Sequence, residues 1–201
     1  MERDMKNAMR KKQIIEAGKK LFSQDGYYDT HLESILKEAK IGKGTFYMHF
    51  KTKEELIVTI LDEFLSAWEA DLVKIREEVP EDLKQFYKTV LKRTFEYFQQ
   101  DLAISNILLR IGPGTNDILE SFVERFEKQV VRLIVNYLNQ GIEMGLFRKD
   151  LDVDLIANIL AGGHMRVFFY YFILKKGSRA KRNLNTLGEN IFEMVISGLM
   201  E

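Results

Sequence analysis

Apolar residues recur at helical spacing along almost the whole chain, and no stretch shows convincing strand alternation. Ile14, Gly18, Leu21 and Phe22 form a stripe that predicts a first helix over residues 10–24, stopped by Asp25-Gly26. Leu32, Ile35, Leu36 and Ala39 give a short second helix, and Phe46 and Phe50 share one side of a short third. The seam Leu56, Ile57, Ile60, Leu61, Phe64, Leu65, Trp68, Leu72, Ile75 is sustained over six turns and predicts a long helix from Lys53 to Glu78. Pro80-Glu81-Asp82 opens the next, which carries Leu83, Phe86, Val90, Leu91, Phe95 and Phe98 to Gln100. A short apolar piece, residues 102–111, runs into the breaker Gly112-Pro113-Gly114. Further helices are expected over 116–144, 153–175 and 186–200. The 153–175 segment is apolar all round, which implies burial on more than one face, and its Gly162-Gly163 pair implies close backbone packing. The expected fold class is all-α, with about nine helices.

The stretch from Thr30 to Leu56 has more to say than its periodicity. Thr30 and Glu33 stand at capping-box spacing, as do Thr52 and Glu55, so each pair is expected to satisfy amides at a helix start. Between the two short helices Gly42 and Gly44 allow backbone angles that other residues resist. Two helices joined by a short glycine-bearing turn are the layout of a helix-turn-helix, whose second helix enters the DNA major groove.

Ile35-x-x-x-Ala39, then Lys43 to Tyr47 (KGTFY), His49-Phe50 and Lys51 to Leu56 (KTKEEL) resemble the N-terminal signature of the tetracycline-repressor (TetR) family over roughly residues 10–60. Lys40 departs from it, standing where the family usually has the Gly that ends the first helix, and so implies a left-handed residue or a different turn. Gly42 replaces the usual Ser or Thr cap, and His31 and Met48 are also unusual. The resemblance implies a DNA-binding domain at 1–53 and a helical ligand-binding and dimerisation domain at 54–201. It implies duplex contacts by Thr30, Gly42, Lys43, Gly44, Thr45, Tyr47, His49 and Lys53, with Lys51 clustered beside them. It also implies a body cavity for a small hydrophobic ligand, lined by some of Phe64, Trp68, Phe95, Phe98, Leu109, Phe122, Phe126, Met165 and Phe168, with Arg110, Asn136 and Arg166 as polar anchors. The two C-terminal helices, 153–175 and 186–200, would pair with a second copy to make a homodimer on palindromic operator DNA.

Charge agrees with a head that meets phosphates. Residues 1–53 hold 12 Lys or Arg against 7 Asp or Glu, whereas the rest holds 18 against 23, although the whole is neutral. Arg10, Lys11 and Lys12 could add phosphate contacts. The absence of cysteine excludes a disulfide framework, and the lack of an apolar leader or of any run of about 18 apolar residues points to the cytoplasm and away from the membrane. Three scattered histidines make no metal site, and His164 reads best as a satisfied core residue. No nucleophile elbow, phosphate loop or dinucleotide fingerprint is present, so neither catalysis nor a cofactor is expected. The leading expectation is a ligand-responsive transcriptional regulator, more specifically a repressor. A helical carrier of a lipid-like molecule without DNA recognition is the alternative from another class, and an enzyme acting on such a molecule the remaining one.

Overall fold

The computed structural model describes residues 2–79, 82–110, 117–168, 170 and 184–199. The fold is all-α. Its described helices are α1 (Glu2–Asp25), α2 (Leu32–Glu38), α3 (Lys43–Tyr47), α4 (Lys53–Glu78), α5 (Leu83–Gln100), α6 (Leu102–Arg110), α7 (Asp117–Glu143), α8 (Val153–Phe168) and α9 (Leu184–Leu199). Pro80-Glu81, the Gly112-Pro113-Gly114 breaker and the basic stretch 175–182 lie outside the described residues. So does the end of the expected 153–175 helix, apart from Tyr170.

The chain divides into two compact units. The first comprises residues 1–66 and 101–123. Its centre is Ile14 and Phe22 of α1, Ile35 of α2, Phe46 of α3, Leu56, Ile57 and Leu61 of α4, and Leu119 and Phe122 of α7, all but inaccessible. Each such side chain contributes about 1.5–3 kcal/mol by leaving water. Gly18 lets α1 approach α4 closely, since a Cβ there would lie 2.8 Å from Leu56 Cδ2. The first helix starts at Glu2, well before residue 10, because the charged leading segment has no breaker to stop a helix even though it has no apolar stripe. Asp101 accepts from the Ile104 amide (3.2 Å) to start α6 and pairs with Lys19 of α1.

The second unit comprises residues 67–100 and 124–201. The apolar face of α5 is buried along its length, from Leu83 to Phe98. Asp82 starts this helix by accepting from the Gln85 amide at 2.9 Å. Trp68 Nε1 donates to Thr94 Oγ1 at 3.1 Å, and Arg93 pairs with Asp71 and Glu78, so the end of α4 is fixed to α5 by three polar ties. At the end of α7, Gly145 takes φ +70 and turns Phe147 back onto Gly141. The Arg148 amide then donates to Leu199 O at 3.0 Å, joining this turn to α9.

Several local expectations are corrected. Thr30 does not cap α2: the N-cap is His31, and the Thr30 hydroxyl donates to Gly26 O at 2.6 Å. The Thr52 hydroxyl does accept from the Glu55 amide at 3.1 Å, while Glu55 reaches back to the Lys51 amide at 2.6 Å. Neither Gly42 nor Gly44 uses a glycine conformation; the left-handed residue of the turn is Lys40, at φ 53. This is what the missing glycine at that position implied. Among the described residues Gly162 and Gly163 have no heavy atom within 4 Å of a built Cβ, so the close packing expected of them is not made there. Nor is α8 buried all round, because Ala157 and Phe168 face in while Leu155 and Ile159 lie open.

Candidate nucleic-acid interface and apolar cavity

The helix-turn-helix is built around Phe46. Its ring and that of Phe50 lie 5.8 Å apart, both buried, and they anchor α3 to the head. Gly42 is the N-cap of α3, with extended backbone and no side-chain cap. With its aromatic pair facing in, the helix turns Lys43, Gly44 and Tyr47 outward; Thr45 and His49 are half-buried beside them, and Lys51 is exposed just beyond. Seven of the nine residues expected to meet DNA thus sit on or beside one accessible face. Met48, 68 % exposed, belongs to the same face and was not among them. Its signals in the sequence were its departure from the family pattern and its place between Tyr47 and His49, out of phase with Phe46 and Phe50.

The other two expected contacts are placed differently. Thr30 is 1 % exposed, with its hydroxyl committed to Gly26 O, so its side chain offers nothing to a phosphate. The Lys53 ammonium donates to Tyr27 O at 2.7 Å and Thr30 O at 2.9 Å and lies 4.3 Å from the Tyr27 ring centroid. Burial lowers the Lys53 pKa from the usual lysine value, partly opposed by Glu54 and Asp29. Next to it Tyr27 donates its hydroxyl to Glu54; burial and that bond raise the phenol's pKa, and the same bond holds the Glu54 carboxyl below its ordinary range. Lys53, Tyr27 and Glu54 together clamp the start of α4 to the turn between α1 and α2.

The second unit encloses a cavity of about 70 Å³. Six of the expected lining residues surround it: Trp68, Phe95, Phe98, Phe126, Met165 and Phe168. Phe64 and Phe122 do not; they belong to the core of the first unit. Asn136 and Arg166 are exposed, on α7 and α8, and neither lines this cavity. The side chains of Leu109 and Arg110 lie outside the described residues. The lining holds no charged side chain among the described residues. Its polar groups are instead Thr94, Tyr87, Tyr137 and His164, the last three unforeseen as a site. Tyr87 Oη lies 3.0 Å from His164 Nε2, and the Tyr87 and Tyr137 rings stack with centroids 4.6 Å apart. Burial lowers the His164 pKa to about 4, so the imidazole is neutral at pH 7, and its tautomer decides whether Nε2 accepts from the Tyr87 hydroxyl or donates to it. Burial likewise pushes both phenols above their ordinary range.

A short, glycine-capped helix with an outward polar face, borne on a three-helix head, defines a helix-turn-helix DNA-binding regulator. The family model for bacterial regulatory proteins of the tetR family matches residues 14–60. The chain is 30% identical over 154 residues to the HTH-type transcriptional repressor KstR2 of Mycobacterium tuberculosis, which covers 75% of this chain and 76% of the relative. The chain therefore belongs to the tetR family, and it is a DNA-binding transcriptional regulator. It is also similar to the fatty acid metabolism regulator protein of Bacillus subtilis, 22% identical over 189 residues and covering 93% of this chain and 94% of that one. The crystal structure of FadR from Bacillus subtilis in complex with stearoyl-CoA shares its fold, with TM-score 0.76 at 22% identity over 93% of this chain and 98% of that one. So does the ketosteroid transcriptional regulator KstR2 of Mycobacterium tuberculosis, with TM-score 0.72 at 25% identity over 96% and 95%. Among the described residues no helix is long and apolar enough to cross a membrane, and no group of His, Cys, Asp and Glu side chains could hold a metal ion.

Proposed function

We propose that the chain is a homodimeric cytoplasmic repressor that leaves a palindromic operator when a small hydrophobic molecule enters the second unit. Residues 1–53 serve as the DNA-binding domain and 54–201 as the ligand-binding and dimerisation domain. The observation that carries this reading is the outward face of α3, with Lys43 and Tyr47 exposed over an inward Phe46 and Phe50. Lysine and helix-start amides supply phosphate affinity, and Tyr47, Met48 and His49 are placed to meet base edges. That a relative was solved with stearoyl-CoA, and that another is named for ketosteroids, supports an apolar ligand. A cavity of about 70 Å³ is far smaller than the roughly 300–1,000 Å³ of most ligand sites. Ligand entry therefore displaces side chains, and the liganded body differs from the empty one. Helix α4 is continuous from Lys53 to Glu78, so movement of its Trp68 end is felt at its head end.

The dimer reading rests on α8 and α9. Leu155, Ile159 (62 % exposed), Gly162 and Gly163 lie open along α8, and Met194 and Gly198 lie open on α9. An exposed apolar stripe with small residues suits a second helix pair. Binding of duplex DNA from the chain's own upstream region, followed by fluorescence anisotropy against salt, tests the main reading. Lys43→Ala and Tyr47→Phe should weaken binding while leaving the fold intact; unchanged affinity in both refutes it. A sharp monomer by sedimentation at micromolar concentration refutes the dimer.

A further inference from the structure

Met48 is the residue of the head that packing does not explain. It is the C-cap of α3, with helical backbone at φ -71 and ψ -20, so it continues the spiral of that helix. It is 68 % exposed and Tyr47 beside it 49 %, while Phe46 and Phe50 anchor the helix to the core. One turn earlier on the same side stands Gly44, also exposed, where an added Cβ would meet no heavy atom within 4 Å. An apolar side chain thus stands next to bare backbone, on the face that carries Lys43 and Tyr47. Single exposed apolar residues are ordinary on most surfaces. On a surface that enters a major groove they carry information. The base edges there are donors and acceptors, and the one apolar group among them is the 5-methyl of thymine. Against adenine, guanine or cytosine, Met48 would strip water from polar atoms and return no hydrogen bond, since a thioether donates nothing and accepts only weakly. Against the thymine methyl, two apolar groups leave water together.

Resting on the reading of the outward face of α3 as the duplex contact, we infer that Met48 is a specificity-determining residue, selecting thymine at one position of the operator by packing on its 5-methyl group. The bare backbone at Gly44 lets the base edge come close to it. Lys43 supplies affinity without regard to sequence, and Met48 supplies discrimination without charge.

The test uses the full chain and a duplex that it selects from a random pool. Each thymine of the selected site is replaced in turn by deoxyuridine, which removes the methyl and keeps the base pair. At one position the replacement is expected to weaken binding about fourfold for each recognition helix engaged, the worth of one buried methyl or methylene. Met48→Ala, with a side chain too short to reach, should bind the thymine and deoxyuridine duplexes alike and keep the parent's slope of log K against log salt. Met48→Leu should retain the thymine preference. The Met48 side chain is exposed, so both variants should melt with the parent. Deoxyuridine tolerated at every position, or a methyl preference that survives Met48→Ala, overturns the inference and leaves α3 the duplex contact. If Lys43→Ala and Tyr47→Phe bind the selected duplex as the parent does, α3 is not the contact, and the inference falls with that reading.

Discussion

Lys53 is where the sequence pattern and the structure assign different work to one side chain. The family resemblance makes it a duplex contact, whereas in the structure its ammonium holds the carbonyls of Tyr27 and Thr30 and covers the Tyr27 ring. Lys53→Met keeps the stem and removes the charge. Two charge-assisted hydrogen bonds at a half-buried site are worth about 1 kcal/mol each, and a cation–π contact at 4.3 Å about 0.5 more. Exposure of the freed carbonyls to water returns some of this, leaving a loss of about 2 kcal/mol. For a chain of this size that lowers Tm by about 4–8 °C.

The assay pairs thermal unfolding followed by circular dichroism with operator affinity measured at several salt concentrations. A clamp predicts lower Tm and an unchanged slope of log K against log salt. A phosphate contact predicts the reverse, with unchanged Tm and a slope shallower by about 0.9 for each head engaged. Lys43→Ala serves as the control with the opposite signature, because Lys43 is exposed at the first position of α3. If Lys53→Met melts with the parent and flattens the salt dependence as Lys43→Ala does, the clamp is refuted.

Three further outcomes are expected. Lys40→Gly should raise stability by about 0.5–1 kcal/mol in urea unfolding, because φ 53 strains a side-chain-bearing residue by more than glycine loses in flexibility; a lower midpoint refutes the strain. Gly141→Ala should destabilise by about 3 kcal/mol or more, since its Cβ would lie 2.1 Å from the buried Phe147 ring, whereas Gly18→Ala should cost about 1–2 kcal/mol because Leu56 Cδ2 at 2.8 Å is the mobile end of a side chain. Stability should also fall as pH drops from about 6.5 to 4: unfolded, His164 takes up a proton near 6.5, but folded only near 4, so the unfolded state binds more protons across that window and about 3 kcal/mol is lost by its lower end. In His164→Gln this part of the pH dependence should vanish, and a variant that keeps it places the titration elsewhere.

How much of this was legible in the sequence depends on whether local period or tertiary geometry decided each point. The range of α4 was readable to the residue because an apolar seam, a Thr52 cap and the lack of breakers all agree. The left-handed turn at Lys40 was readable from a glycine the pattern lacked. The capping role of Thr30 was not: the same hydroxyl can close the Gly26 turn or cap α2, and only the path of the chain selects between them. The partition of aromatics between the core of the first unit and the cavity was not readable either. Phe64 and Phe122 satisfy the helical stripe as well as Trp68 and Phe126 do, and a stripe says that a side chain faces inward without saying what it faces.

The polar end of the cavity follows a stricter logic, one the sequence could have yielded. Arg166 and Asn136 were expected as polar anchors of the cavity, yet each is out of phase with the apolar stripe of its helix and is exposed. Arg166 lies two residues from His164, about 200° around the helix. His164, in contrast, is in phase with Ala161 and Phe168, at i−3 and i+4. Tyr137 is in phase with Val130, Leu133 and Ile134, and Tyr87 with Leu83, Val90 and Leu91. A polar side chain that keeps the apolar register is carried inward by the hydrophobic effect acting on its neighbours, and must find its partner there. Phase, more than charge, is what identifies the groups able to meet a ligand in this fold.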